Sequence, residues 1–249
     1  MASEYPFVDV ERREGFAIVS FNRPDRKNAL VPGLLTSFDT VMKELDDDPE
    51  ILAVILTGKG ETFCVGLDVA TLQETGPEAF LPFNPAKTIM DWNGPVIAAI
   101  NGLAVTGGFE ITVACDIILA AEEAAFIDTH SRVGLLPGWG LSVRLQRAIG
   151  IYRAKELELT GRRLPASEAA EWGLVNRVVP RADLLDVACE VAKAIVGGAP
   201  GLPSETKSLI DSVSRVTLGE GIVLEQQIGH EKVAGAKGNL SFAHMGKSR

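Results

Sequence analysis

Two glycines stand just ahead of a carboxylate in Gly107-Gly108-Phe109-Glu110, shortly after an apolar run and an Asn101-Gly102 turn. Where a strand gives way to a helix, the first N–H groups of the helix have no partner within it and can converge on one oxygen. Glycine permits the close approach and the unusual dihedrals such a turn demands. Glu110 then falls in the first helical turn, beside those amides. A carboxylate next to amide donors suits proton transfer beside a carbonyl, with the donors holding the charge that builds on its oxygen. The segment also fits a plainer role, in which the glycines serve close packing and Glu110 interacts favourably with the helix dipole.

Other chemistries find little support. Gly58-Lys59-Gly60-Glu61 lacks both the hydroxyl residue and the spacing of a phosphate loop. No GxGxxG follows the first strand, which leaves a Rossmann-type oxidoreductase as the outside alternative. Ser142 has Arg144 where a nucleophile elbow needs glycine. His130, His230 and His244 are isolated, and His230-Glu231 starts an HExxH pattern that Ala234 breaks. Cys64, Cys115 and Cys189 form no CxxC pair, so no metal site is expected and the chain reads as a reduced, cytoplasmic protein. Lys and Arg number 24 against 33 Asp and Glu, a net charge of −9 with no basic stripe, which excludes a nucleic-acid binder. No signal peptide reads at residues 1–10, and the most apolar stretch, 95–121, is broken by Asn101, Glu110, Asp116 and several glycines, so no membrane span is expected.

The elements that must position this chemistry alternate between strand and helix. Residues 8–11 and 17–21 read as a hairpin about Glu14-Gly15. Leu34, Leu35, Phe38, Val41, Met42 and Leu45 recur at helical spacing behind Pro32. The apolar runs 51–56 and 95–100 have strand length, and a strand–helix–buried strand order predicts right-handed crossovers and a partly parallel sheet. Prolines 77, 82 and 85 with Gly76 mark 74–85 as a mobile surface segment, ahead of a helix over 86–92. Beyond the helix that Gly107-Gly108 opens, 117–120 is a strand. Helices follow over 141–149, 153–159 and 166–171, then an extended piece within 172–179, then helices over 184–196, 203–216 and 218–236. The 249 residues suffice for one large domain or two small ones, with a substantial core.

Six segments, in order, carry a resemblance to a known family: 21–30 (FNRPDRKNAL), 63–69 (FCVGLDV), 95–110, 115–120 (CDIILA), 126–137 continuing to Gly140 and Arg144-Leu145, and 171–179 (EWGLVNRVV). Together they resemble the enoyl-CoA hydratase/isomerase (crotonase) superfamily over residues 8–199. The resemblance implies an α/β, crotonase-like (ClpP/crotonase) spiral of ββα units forming two sheets over 1–199. It implies a helical C-terminal region over 200–249 that serves trimerisation and closes the site. It implies an acyl-CoA thioester as substrate, with coenzyme A arriving as part of it and no separate cofactor. The backbone amides of Val65 and Gly107 would form the oxyanion hole, and Glu110 would be the catalytic carboxylate. Lys27, Ala29, Gly66, Leu67, Asp68 and Val69 match the segments that line the CoA cleft, where Lys27 and Arg26 would face an anionic ligand.

Two departures from the family pattern matter. Family hydratases use two glutamates, and counting without a gap from Phe126 to Gly134 puts His130 at the second position. Histidine does acid/base work near neutral pH but is no second carboxylate; a wall of the pocket is its other role. Asp128, two residues back, would point to the same side on an extended segment. Trp139 either lines the acyl pocket or packs under its loop. The chain also ends, over 235–242, without the acidic-Gly-aromatic pattern common in the family. The leading expectation is an enoyl-CoA hydratase-like lyase, in fatty acid metabolism, assembled as a trimer or a hexamer of two trimers. The alternatives are an enoyl-CoA isomerase, another CoA-ester lyase or hydrolase, and a non-catalytic acyl-CoA-binding protein.

Overall fold

The computed structural model describes residues 5–236. β1 (Val8–Arg13) and β2 (Phe16–Phe21) form the expected hairpin, paired from Val8 against Phe21 to Arg13 against Phe16. β2 is buried at every residue. After α1 (Pro32–Asp46), β3 (Ala53–Gly58) pairs parallel to β2. α2 (Val69–Thr75) and α3 (Pro85–Asp91) lead to β4 (Val96–Ile100), parallel to β3 and buried throughout. A strand covered on both faces has no solvent side to alternate toward, hence the unbroken apolar run.

The chain then steps between two sheets. β5 (Leu103–Val105) starts a second sheet and α4 (Gly107–Ala114) follows it. β6 (Ile117–Ala121) returns beside β4, and β7 (Ala125–Ile127) runs parallel to β5. β4–β5–α4 and β6–β7–α5, with α5 at His130–Val133, are therefore two ββα turns of a spiral. β3, an isolated bridge of Cys64 to Ala104, and α2 make an abbreviated earlier turn. α6 (Leu141–Ile149), α7 (Ile151–Thr160), β8 (Leu164–Pro165) and α8 (Ala166–Glu171) precede β9 (Arg177–Val179). The large sheet has the order β1-β2-β3-β4-β6-β9 and the small one β5-β7-β8. α9 (Leu184–Val196) packs on β2, β3, β4 and β6.

α10 (Leu202–Val213) and α11 (Leu218–Ala236) pack on one another as a helical end. Lys207 ties α10 down, donating to the carbonyls of Trp92 and Gly94 and pairing with Asp116 at 3.0 Å. Residues 237–249, which hold most of the divergent tail, lie outside the described residues. Phe21 packs on Phe38 and Phe63 with ring centroids 5.5 and 5.7 Å apart, joining β2 and α1 to the start of the Cys64 loop.

Two expectations need correction. β5, β7 and β8, of two or three residues each, were not foreseen as strands; such short pieces carry no readable alternation. Residues 74–85, expected to be a mobile surface stretch, include a 3-10 turn at Pro77–Phe80, bury Phe80 and pack Phe83 against the core. Two aromatic anchors outweigh the prolines around them.

Candidate active site

Two loops distant in sequence meet at Gly107. Cys64 N–H donates to Leu103 O at 3.1 Å and Val105 N–H to Cys64 O at 2.9 Å, stitching the Val65 loop to β5. Gly66, at φ +82, could bear no Cβ: one would lie 2.9 Å from Val105 O and 3.2 Å from Gly107 N. At Gly108 a Cβ would lie 2.2 Å from Cys64 O. Both glycines therefore answer to close backbone approach. Thr106, between β5 and α4, has φ 51 and ψ −106, conformational strain for a β-branched residue. Its hydroxyl, 2.5 Å from the Thr129 hydroxyl, accepts from Thr129 N–H at 3.1 Å, which holds the turn. Among the described residues, neither Val65 N–H nor Gly107 N–H has a hydrogen-bond partner. Free donors on two loops that meet are what the holding of one oxygen with developing charge calls for.

Glu110 sits one turn further along α4, a helix buried on all sides. Its carboxylate is 2% exposed and accepts from the Trp139 backbone N–H at 2.8 Å. Phe109 stacks on Phe126 with centroids 5.3 Å apart, fixing α4 against the strand that leads to His130. His130 Nε2 lies 3.6 Å from Glu110 Oε2. That is beyond a direct hydrogen bond and close enough for both groups to act on the same bound atoms. The other ring nitrogen, Nδ1, is 2.6 Å from Asp128 Oδ1. Burial, only partly offset by the Trp139 amide and the nearby imidazole, pushes the Glu110 carboxyl above its ordinary 4.5. Burial of His130 opposes its charged form. The Asp128 bond and charge, with Glu110 and Glu158 behind them, outweigh it and raise its pKa above 6.5.

The contact of Asp128 with His130 has a different origin from the expected one. The segment is not extended there: Thr129 adopts φ −112, ψ 8 and His130 opens α5. Turning the chain lets Asp128 Oδ1 accept from both the backbone N–H and the ring of His130.

Asn28 organises the basic segment. It is fully buried, accepts from Arg23 N–H and donates to the carbonyls of Lys59 and Thr62. Lys27 stands exposed at φ 52 and Ala29 is buried. Leu30 N–H donates to Gly66 O and Asp68 N–H to Leu30 O, bringing 27–30 and 66–69 together. Asp68 itself is buried and committed: Arg23 binds it at 2.6 Å, Arg26 lies at 3.7 Å, and it caps α2 through Thr71 N–H. That pairing holds its carboxyl below the usual range. Its side chain organises the loop; the half-buried Leu67 and the exposed Val69 remain as the surface of that loop, and Gly66 is buried.

Three contributors were missed or only glimpsed in the sequence. The amide of Trp139 holds Glu110, while its ring packs on Gly107 and its Nε1 donates to Phe83 O at 3.1 Å. A backbone amide has no sequence signal. Thr106 and Thr129 join the two halves of the site, and only a Thr in front of the glycine pair hinted at it. A concavity of about 900 Å³ lies elsewhere, lined by Ser20, Thr57, Asn101 and Arg181 among others, and holds none of Glu110, Asp128 or His130. Its charged groups are paired, as in Lys59 with Asp9 and Arg181 with Glu123, so it offers no comparable chemistry. Among the described residues no helix is long and apolar enough to cross a membrane.

Comparison with known proteins gives the family. The enoyl-CoA hydratase/isomerase family model matches residues 11–248. The chain is 36% identical over 223 residues to the probable peroxisomal enoyl-CoA hydratase 1 of Arabidopsis thaliana, covering 89% of this chain and 84% of that protein. It is 35% identical over 226 residues to the short-chain-enoyl-CoA hydratase of Clostridium acetobutylicum, covering 88% and 87%. Among solved structures, enoyl-CoA hydratase from Bacillus anthracis superimposes with a TM-score of 0.84 at 36% identity, over 89% of this chain and 88% of that one. One from Geobacillus kaustophilus gives 0.89 at 29% identity, over 99% and 98%.

Proposed function

The chain belongs to the enoyl-CoA hydratase/isomerase family and has its crotonase fold, and on that premise we propose that it adds water across the double bond of a 2-enoyl-CoA thioester. One observation carries this reading: Glu110 Oε2 and His130 Nε2 face each other at 3.6 Å, one helical turn from the free Gly107 amide. The thioester oxygen accepts from the Val65 and Gly107 amides. Ionised Glu110 takes a proton from water as the water oxygen bonds to C3. The electron pair of the double bond moves to C2 and the thioester, and the amides hold the resulting enolate charge. Imidazolium His130 then gives its Nε2 proton to C2. The proton on Glu110 returns to His130, which restores both groups. Nothing in these steps calls for a metal or redox group, since coenzyme A comes with the substrate. Lys27, Ala29, Gly66, Leu67, Asp68 and Val69 form the CoA-facing rim in this reading, with Asp68 acting through its backbone. The helical end beyond residue 200 serves assembly into a trimer or a pair of trimers and closure of the site. Three buried free cysteines suit a reducing compartment such as the cytoplasm, although the relatives include one named as peroxisomal and two as mitochondrial.

The working form needs Glu110 ionised and His130 protonated. Hydration therefore rises through a limb above pH 4.5 and falls through one above pH 6.5, a bell whose midpoints belong to the pair. The test measures 2-enoyl-CoA hydration and 3-enoyl-CoA isomerisation across pH. The His130→Ala variant should lose hydration ~10²-fold or more and lose the alkaline limb. Full hydration by that variant reduces His130 to a wall of the pocket. Isomerisation retained by the variant, with none of the hydration in wild type, makes the protein a one-base isomerase working through Glu110.

A further inference from the structure

We infer that Asp128 is a positioning residue for His130: its carboxylate fixes the proton on Nδ1 and keeps the imidazolium as the resting form, leaving Nε2 toward Glu110 as the proton-carrying atom. This rests on the hydration reading above and adds a third residue to it. The geometry is specific. Asp128 Oδ1 receives both the ring Nδ1 at 2.6 Å and the backbone N–H of His130 at 3.1 Å, so one oxygen sets where the residue sits and how its ring turns. A carboxylate accepts only, so the neutral ring must place its proton on Nδ1. The same segment is anchored on the oxyanion turn through Thr129 and Thr106, so the ring is oriented relative to the Gly107 amide.

Burial gives a second and independent reason. Asp128 is 1% exposed, and its Oδ2 is buried without a hydrogen-bond partner. A carboxylate sealed in the core with half its acceptors unused is costly for a purely structural purpose, since one polar group left unpaired costs about 1–3 kcal/mol. A cation opposite it supplies the compensation. The groups that face the imidazole are Asp128 itself, Glu110 from α4 and Glu158 from α7, which accepts from Ser142 Oγ at 2.5 Å. Three carboxyls surround one ring, and Asp128 alone is hydrogen-bonded to it.

The substitution Asp128→Asn isolates the charge. The amide oxygen can take the place of Oδ1, and the amide nitrogen falls where Oδ2 has no partner. Nitrogen-15 NMR of the full chain, labelled on histidine, reads the ring directly, with the His130 signals identified by their loss in the His130→Ala variant. In wild type the ring should titrate above 6.5 and show the Nδ1–H form when neutral. In the Asp128→Asn variant the midpoint should fall by about one unit or more. The alkaline limb of hydration should fall with it, cutting kcat at pH 8 roughly tenfold while KM stays within about twofold. An unchanged midpoint overturns the inference, as does a neutral ring protonated on Nε2 in wild type, a reading that needs no substitution at Asp128. Uniform loss of kcat with unmoved limbs also overturns it and leaves Asp128 a packing role. Wild type that hydrates no enoyl-CoA sinks the functional reading instead, and the ring titration still decides whether Asp128 governs His130.

Discussion

At the scale of single residues, the site combines a buried carboxylate with a buried imidazole, and each tunes the other. Glu110 loses hydration on burial and recovers part of it from the backbone amide of Trp139, with that of Leu141 adding less. Such a carboxyl is a stronger base than an exposed one. The substitution Glu110→Gln keeps the shape and the hydrogen bond from Trp139 but removes the proton-accepting oxygen. Turnover should fall ~10²–10⁴-fold while affinity for a non-reacting acyl-CoA changes little. Steady-state kinetics beside calorimetric titration measures both, and near wild-type kcat would mean the chemistry lies elsewhere. The spacing to Gly107-Gly108 marked Glu110 as a candidate beside a plainer packing and helix-dipole role, and the family resemblance chose between them. His130 was legible only from its position within a longer matching segment. The amide of Trp139, 29 residues further on, was not legible in that role, because every non-proline residue carries the same donor.

At the scale of elements, the site is a seam between two loops. The Val65 loop and the Gly107 turn come together because Cys64 pairs with β5 and because the glycines on both sides allow backbone to meet backbone. Gly108 is the tightest point in this seam. An alanine there would place its methyl 2.2 Å from Cys64 O, against a strand-like pairing that has no flexible side chain to yield. The substitution Gly108→Ala should cost about 1–3 kcal/mol, seen as a lower denaturation midpoint. It should also reduce kcat, because the strain is relieved by moving the Val65 loop away from Gly107. Unchanged stability and turnover together would show the seam to be looser than these contacts describe.

At the scale of the molecule, α10 and α11 leave apolar side chains uncovered in the single chain. Ile210, Leu218, Val223 and Val233 are each at least 60% exposed, and Ile222 and Ile228 add to them. A lone monomer rarely presents so much apolar surface on adjoining helices. Light scattering at micromolar concentration should give a trimer or twice that mass. A clean monomer would remove the assembly and, with it, the proposed use of this helical end. The pairing of Lys207 with Asp116 and two carbonyls shows how α10 is fastened to its own core, independent of any assembly.

Local pattern by itself determined much of this protein. The long helices, the buried parallel strands and the glycine-opened helix carrying Glu110 follow from periodicity, apolar run length and turn chemistry, because each is enforced by burial within one stretch of chain. Tertiary structure decided what those signals cannot carry. The small sheet exists because residues 103–105, 125–127 and 164–165 meet across the spiral, and none is long enough to declare itself. Asp128 bonds His130 because the backbone turns at Thr129, where an extended chain had been expected. Asp68 became a structural lock because Arg23, 45 residues earlier, folds onto it. In each case the deciding interaction joins groups whose separation in space is set by the packing of other elements, and no local sequence rule encodes that distance.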